Sequence, residues 1–379
     1  MVSRIFVTMN AASAESTKIS KNIVKVARDL FVDEHERESF LRAMQEKDSG
    51  VTGVVWLKQR PDDIGFVTGE RPEWLPEWID VAAEGERPGK LTAHDEGSIY
   101  CMDLSSTFAC AALSAIEDVV SIVVDVCASP GGKGIVARRY LEPNLLVGNE
   151  VIGKRTAQLI SNYKRCHIDP SIVTSLDPER LGEEVPERAD LVVVDAPCSG
   201  QSLVLKGMAA PGAFHPATIG MNERRQRRIL AHSSKIVAPG GYLLYATCTF
   251  SREENEQNVE WFIKTFPEFS AVSVPRLEAY QSALSNIPTY RLLPQHGKGA
   301  GAFCALLRKS SSQELTHRDS PESVSARLRA AWRSPTLFVS RPTTAGQGEN
   351  RRNRRHSETA KRAQKYERQK AKRMLRDFE

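Results

Sequence analysis

From Ser121 onward the chain alternates short, wholly apolar runs, mostly β-branched, with longer segments of mixed polarity. The runs are Ile122-Val123-Val124, Leu145-Leu146-Val147, Ile172-Val173, Leu191-Val192-Val193-Val194 and Tyr242-Leu243-Leu244-Tyr245. A strand without apolar–polar alternation is buried on both faces, which is the habit of parallel sheets covered by helices. The pattern predicts an open, doubly wound α/β domain with helices over Gly134–Tyr140, Lys154–Cys166, Glu223–Val237 and Glu253–Thr265. Ser251 and Glu254 have capping-box spacing, which fixes the start of the last helix near the strand end carrying Cys248.

Upstream, Glu34–Met44 reads as a helix with Phe40, Leu41 and Met44 on its apolar side, followed by a strand near Val51–Leu57. Together they predict a small α+β domain. The first twenty residues are polar and small, and poor order is expected there. Gln59–Asp95 holds Pro61, Pro72, Pro76 and Pro88, which deny it long regular elements and make it a linker or an ordered loop. Beyond Lys309 the apolar periodicity fades, ending in a basic segment, Ser357–Phe378, that a helix would suit. The expected partition is residues 1–20, an α+β region with its linker over 21–95, the α/β domain over 96–309, and a basic tail over 310–379.

The formal charge of +5 is unevenly spread: Glu349–Glu379 carries twelve Lys/Arg against five Asp/Glu. Such a block is either a solvated, self-repelling tail or an arm that holds nucleic-acid phosphates. No stretch approaches the roughly 18 to 20 apolar residues of a membrane span, and the N-terminus lacks a signal-peptide pattern. A soluble cytoplasmic protein is expected. The seven cysteines (Cys101, Cys110, Cys127, Cys166, Cys198, Cys248 and Cys304) are spread out, with no C-x-x-C pair and no histidine at zinc spacing. Neither a disulfide frame nor a metal site is expected.

Candidate chemistry begins with the loop Asp125-Val126-Cys127-Ala128-Ser129-Pro130-Gly131-Gly132-Lys133, which follows the first apolar run and precedes a helix. In open α/β sheets ligands bind beyond the carboxyl ends of strands, where glycines let backbone amides approach. A Walker A loop is excluded, because Cys127 stands where its first glycine belongs and Lys133 is followed by Gly134; G-x-G-x-x-G is absent too. An adenosyl cofactor without phosphates fits better. Glu150, at the next strand end, suits the ribose hydroxyls, and Asp177, at the third, suits the adenine edge. A single such carboxylate is more often a plain polar strand end; three in succession with the glycine loop make a set.

Two later strands end in Asp195-Ala196-Pro197-Cys198-Ser199-Gly200 and Ala246-Thr247-Cys248-Thr249-Phe250. A lone buried cysteine is usually an inert small hydrophobe, which suffices for Cys110, Cys166 and Cys304. Cys198 and Cys248 differ in lying where ligands must bind. Thiolate addition to C6 of cytosine makes C5 nucleophilic enough to accept a methyl group from a sulfonium donor. Asp195 suits the charge developing at N3 and the exocyclic amine.

With the motifs C-A-S-P-G-G-K, D-A-P-C-S-G and T-C-T, the chain resembles the NOP/Sun family of RNA cytosine-5 methyltransferases. The resemblance implies a Rossmann-like class I methyltransferase fold and S-adenosylmethionine as cofactor. It also implies Cys248 as nucleophile and Cys198 as the promoter of product release. Cofactor binding falls by the same resemblance to Cys127, Ala128, Ser129, Pro130, Gly131, Gly132, Lys133, Glu150, Asp177 and Asp195. Weaker likeness at Gly97–Tyr100, Asp103–Ser106 and Gly301–Lys309 extends it over about Phe40 to Lys309. Met102 stands where many members have Gln, and Gln201–Gly207 departs from the usual G-x-x-x-[RK] form. In a DNA cytosine-5 methyltransferase the nucleophile lies in the proline–cysteine motif, so RNA is the expected substrate, ribosomal before transfer RNA, contacted in part by the 21–95 region. Arg224, Arg225, Arg227 and Arg228 are either phosphate contacts or a solvated helix face. A monomer is expected. The competing reading is a catalytically idle RNA-binding or ribosome-assembly factor on the same fold.

Overall fold

In the computed structural model, the described residues are 19–46, 50–311, 320–331 and 338–340. The basic segment Ser357–Phe378 and the first eighteen residues lie outside them. One compact unit extends through Val339. Its small sheet consists of β1 (Thr52–Trp56), β2 (Ile79–Val81) and β3 (Ile99–Asp103), antiparallel in the order β2-β1-β3. The large sheet comprises β4 (Ile122–Asp125), β5 (Leu145–Asn149), β6 (Ser171–Thr174), β7 (Ala189–Asp195), β8 (Val237–Thr247), β9 (Phe269–Ala271), β10 (Tyr290–Leu292), β11 (Ala302–Lys309) and β12 (Phe338–Ser340). It runs in the order β10-β11-β8-β7-β4-β5-β6-β12, with β9 also on β11.

The stretch from β6 to β8 is parallel, as the unbroken apolar runs predict. The reason is visible in the core. Val123, Leu146, Val173 and Val193 join one apolar cluster with Ile135, Val136 and Leu159 of the overlying helices. Their neighbours Val124, Val147, Ile172 and Val194 join another, with Leu181, Ile229, Leu230 and Phe262 on the opposite face. Each strand therefore needs apolar side chains at every position. Beyond β8 the sheet turns antiparallel, because β11 runs back along β8 and carries β9 and β10 on its other edge. The chain moves outward from β4 to β5 and β6, then returns to the other side of β4 as β7. This places a topological switch point between β4 and β7, where ligands bind in such sheets.

Three boundaries differ from the sequence reading. The helix expected over Glu223–Val237 runs from Pro216 to Ser234, started by proline at its first turn and a His215 cap, while Val237 begins β8. The helix expected from Glu253 starts at Glu256. A division between residues 95 and 96 would cut the small sheet, since β3 pairs with β1 along its whole length. The proline-rich segment before it is ordered: Trp74 is fully buried and meets Phe108 and Tyr280 edge-on at 5.4 and 5.2 Å.

Sequence reading also passed over the helix Lys21–Leu30, although Ile23, Val26, Ala27 and Leu30 have helical spacing and Ser20 caps it. These residues pack with Phe40, Met44, Phe250 and Leu293. Among the described residues no helix is long and apolar enough to cross a membrane.

A buried ion pair braces the carboxyl end of β8. Arg291 of β10 donates from Nε to Glu256 Oε1 at 2.5 Å and from Nη2 to Oε2, while its Nη1 holds the Phe250 carbonyl at 2.9 Å. Ser282 adds a hydroxyl donor to Glu256 Oε1 at 2.6 Å. Removing one partner strands a buried charge, so Glu256→Ala is expected to cost about 3–5 kcal/mol in denaturant unfolding. The double replacement Glu256→Leu with Arg291→Met is expected to cost less than the single one; an equal or larger loss would refute this account.

Candidate active site

The site is assembled from strand ends. β7 and β8 pair in parallel up to Asp195 and Ala246, and the Ala196 amide continues the ladder onto the Ala246 carbonyl at 3.0 Å. The segments leaving the two strands therefore start side by side. Cys198 and Cys248, fifty residues apart in sequence, bring their sulfurs to 3.2 Å, and the Cys248 amide donates to Cys198 Sγ at 3.4 Å. Ser202 N closes on the Cys248 carbonyl at 3.2 Å.

Charge around the thiols is asymmetric. Lys133 Nζ donates to Asp195 Oδ2 at 2.7 Å. Burial works against the charged form of Lys133, but Asp195 outweighs it and keeps the ammonium protonated. The Cys248 thiol is lowered, first by its hydrogen bond with Cys198 and then by Lys133 and Lys206, against burial and Asp195. Cys198 is held well above the ordinary thiol range, by that same hydrogen bond and by burial. Of the two thiols, Cys248 is thus the more readily ionised and Cys198 the one that keeps its proton longer. Lys206, absent from the sequence-derived set, is held at 2.9 Å by Asp103.

The glycine loop lies at the end of β4. A Cβ at Gly134 would come within 2.9 Å of the Tyr163 hydroxyl and 3.1 Å of Asp125 Oδ2, so the helix can begin this close to the strand end only with glycine there. Asp125 is fully buried; burial first, then Asp195, raise it to about 7, opposed by Lys133 and by the amides of Cys127 and Gly134. Its Oδ1 has no hydrogen-bond partner. Glu150, just past β5, is also buried, with Oε1 accepting from the Ile152 amide at 2.9 Å. Its Oε2 makes no hydrogen bond and lies 3.4 Å from the Arg155 guanidinium.

Asp177 is engaged otherwise than its place in the sequence indicated. β6 ends at Thr174, and Asp177 caps the helix Pro178–Glu184, its Oδ1 accepting from Glu179 N at 3.0 Å and Arg228 Nη2 at 2.7 Å. The strand ends here are knitted together by Asn149, which bonds the carbonyls of Val126 and Leu176. In the arginine cluster, Arg227 pairs with Glu223 and lies over Trp261, and Arg228 pairs with Asp177; Arg224 and Arg225 are exposed. Burial raises Cys110 to about 12 and Cys166 to about 11, as expected of inert thiols.

Sequence reading missed Glu254 altogether as a site residue. The signal was present in the Ser251/Glu254 spacing, and the two side chains do bond at 3.0 Å. The carboxylate, however, also turns to Ser199 N at 2.9 Å and Gln226 Nε2 at 2.8 Å, and the helix starts only at Glu256, after Asn255 with φ −108° and ψ −100°.

Residues 112–308 match the family described as 16S rRNA methyltransferase RsmB/F. The chain is 34% identical over 249 residues to the ribosomal RNA small subunit methyltransferase F of Cronobacter sakazakii, covering 64% of this chain and 52% of that protein. It spans about half the length of the curated relatives it matches. Among solved structures, PH0851 superposes with a TM-score of 0.64 at 25% identity, over 75% of this chain and 65% of that one. NSun6 from Pyrococcus horikoshii, solved with SFG, gives 0.58 at 17% identity over 77% and 99%, a likeness of fold. The sheet is thus the Rossmann-like, doubly wound kind that the apolar runs predict. With the matched residues spanning more than half of the chain and containing the glycine loop and both cysteine motifs, the chain belongs to the 16S rRNA methyltransferase RsmB/F family.

Proposed function

We propose that this chain transfers a methyl group from S-adenosylmethionine to C5 of a cytosine in RNA, through a covalent adduct between Cys248 and C6 of the base. The observation that carries the reading is the thiol pair 3.2 Å apart, in which Cys248 is the thiol shifted toward ionisation and Cys198 the one shifted away from it. The similarity to ribosomal RNA small subunit methyltransferases supports ribosomal RNA as the substrate class.

The residues at the switch point fit the cofactor. Glu150 keeps a buried carboxylate oxygen without a hydrogen-bond donor, the arrangement a ribose hydroxyl would complete. The loop Cys127–Lys133 offers backbone amides and small residues rather than a phosphate cradle, which suits an adenosyl group. When bound there, S-adenosylmethionine supplies an electrophilic methyl group on a sulfonium. In this reading Asp177, committed to its helix cap, is at most a peripheral contact.

The chain's own residues carry the remaining steps. Cys248 Sγ adds to C6, and the C5–C6 double bond becomes an enamine whose C5 takes the methyl. Asp195, held by Lys133, stabilises the charge that develops at N3 and the exocyclic amine as the thiolate adds. Loss of the C5 proton to a base and rupture of the C6–S bond restore the aromatic ring. Cys198, a thiol donor beside the departing sulfur, stabilises the thiolate as it leaves. A base stacked in a helix cannot present C6 to a thiolate, so the target is unpaired or extruded.

The decisive experiment is incubation with labelled S-adenosylmethionine and separate ribosomal and transfer RNA, with digestion to nucleosides. Label is expected in 5-methylcytidine from ribosomal RNA, lost on the order of 10³-fold or more in Cys248→Ala. Cys198→Ala is expected to accumulate a protein–RNA adduct. No label in either RNA with intact cofactor binding would favour the idle RNA-binding factor instead. Glu150→Ala is expected to weaken cofactor binding by about 10- to 100-fold in calorimetry, the worth of a lost charged hydrogen bond; an unchanged affinity would remove Glu150 from the site.

A pH series tests the charge asymmetry. The alkylation midpoint of Cys248 is expected below the ordinary thiol value of 9.0. Lys133 favours the thiolate, so Lys133→Met is expected to move that midpoint upward; a downward or absent shift would contradict the assignment.

A further inference from the structure

Glu254 is fully buried between the two cysteine-bearing segments, and no step of the proposed reaction uses it. Its Oε2 accepts two N–H groups, Ser199 N at 2.9 Å and Gln226 Nε2 at 2.8 Å. An N–H can only donate, so that oxygen carries no proton. The orientation of Gln226 is fixed at both ends, since Nε2 also donates to the Pro197 carbonyl at 3.0 Å and Oε1 accepts from Asn258 Nδ2 at 2.9 Å. Oε1 of Glu254 faces Ser251 Oγ at 3.0 Å; that hydroxyl accepts from Glu254 N and has its hydrogen free to give. Thr249 Oγ1 stands 3.5 Å from the same oxygen and 2.7 Å from Ser199 Oγ.

Each cysteine is thus bracketed. On one side, Pro197 and Ser199 flank Cys198 and are both tied to Glu254, the first through Gln226. On the other, Thr249 follows Cys248, meets the same carboxylate, and gives its carbonyl to Asn255 Nδ2 at 2.9 Å. The backbone of Glu254 is itself fastened to β8 by the Tyr245 hydroxyl at 2.6 Å.

We propose that Glu254 is a positioning residue whose carboxylate clamps the Cys198 segment to the Cys248 segment and so holds the two thiols in register for addition and release. The proposal rests on the reading of Cys248 as nucleophile and Cys198 as its partner in release. It accounts for why a buried carboxylate is tolerated here: every acceptor direction is filled from one or other cysteine segment or from the helix behind it. The buried negative charge also acts on Cys198 itself, adding to the hydrogen bond with Cys248 and to burial in keeping that thiol protonated.

The test compares wild type with Glu254→Gln, a replacement of the same shape that lacks the charge and turns one acceptor into a donor. Folding is checked by thermal melting and cofactor binding by calorimetry. Peptide mass spectrometry then gives the rates at which iodoacetamide labels Cys198 and Cys248 at fixed pH. Wild type is expected to label first at Cys248, and Glu254→Gln to reduce the Cys248-to-Cys198 rate ratio by about ten-fold. The turnover number on ribosomal RNA is expected to fall by about ten- to a hundred-fold with KM for RNA unchanged, as displaced reacting groups require. A labelling ratio and turnover number both within two-fold of wild type would overturn the proposal, as would a rise in KM alone. Should Glu254→Gln fail to fold, Gln226→Met keeps the carboxylate but releases Pro197, and is expected to shift the same ratio by about three-fold, the worth of one or two hydrogen bonds; no shift there overturns the clamp. Labelling needs no RNA, so a wild type that makes no 5-methylcytidine would defeat the functional reading while the ratio still decides the clamp.

Discussion

The parallel pairing of β7 with β8 is the constraint on which the site depends. Main-chain hydrogen bonds fix Leu191 opposite Tyr242 and Asp195 opposite Ala246, and this register carries Cys198 and Cys248 to the same end of the sheet. The register is established where β8 passes Ala189, at an irregularity around Gly240 and Gly241. A Cβ on Gly241 would approach the carbonyls of Ala238, Ala189 and Asp190 at 2.9 to 3.0 Å, contacts that real side chains do not make. A slip by one residue would exchange the two faces of the strand and separate the thiols. The chemistry is therefore positioned by backbone geometry before any side chain contributes.

Given that register, electrostatics does the rest. Three acidic groups, Asp125, Asp195 and Glu150, end adjacent strands, and the half-buried Lys133 is the cation that reaches Asp195. Two thiols 3.2 Å apart cannot be equivalent in this field. Lys133 and Lys206 favour charge on Cys248, whereas Glu254 disfavours it on Cys198. The difference between the two thiols comes first from the hydrogen bond they share and from burial, and then from where fixed charges stand.

Much of this was legible in the sequence. Apolar runs without alternation gave the parallel strands because both faces of the sheet are covered, and the glycine loop, Glu150 and the two cysteines fell at strand ends as the spacing indicated. Where the structure departs from the local signal, a long-range contact has entered. Ser251 and Glu254 have the spacing of a helix cap, but the carboxylate also reaches Ser199, 55 residues away, and the helix starts late, at Glu256. Asp177 joins a local cap to a distant partner, its Oδ1 taking both Glu179 N and Arg228. The pairing of β3 with β1 across a proline-rich segment is likewise a tertiary event, and periodicity within either strand carries no trace of it.

The N-terminal helices belong to the same logic. Phe250 lies two residues beyond Cys248 and packs edge-on against Phe40 at 5.3 Å, within an apolar cluster that includes Ile23, Val26, Leu30 and Met44. On its other side Arg291 holds the Phe250 carbonyl, and Gln201 Oε1 accepts its amide at 2.8 Å. The segment carrying Cys248 is thus fixed by hydrogen bonds from its main chain to β10 and to the Cys198 side of the site, and by an aromatic contact to a region remote in sequence. Burial of an aromatic ring is non-directional and strong, whereas the hydrogen bonds to its backbone are directional and individually weak. Together they give what neither gives alone: an anchored segment whose cysteine still faces a partner thiol at a defined distance. The helices before β1 accordingly act on the Cys248 segment through packing, by holding the ring two residues beyond it.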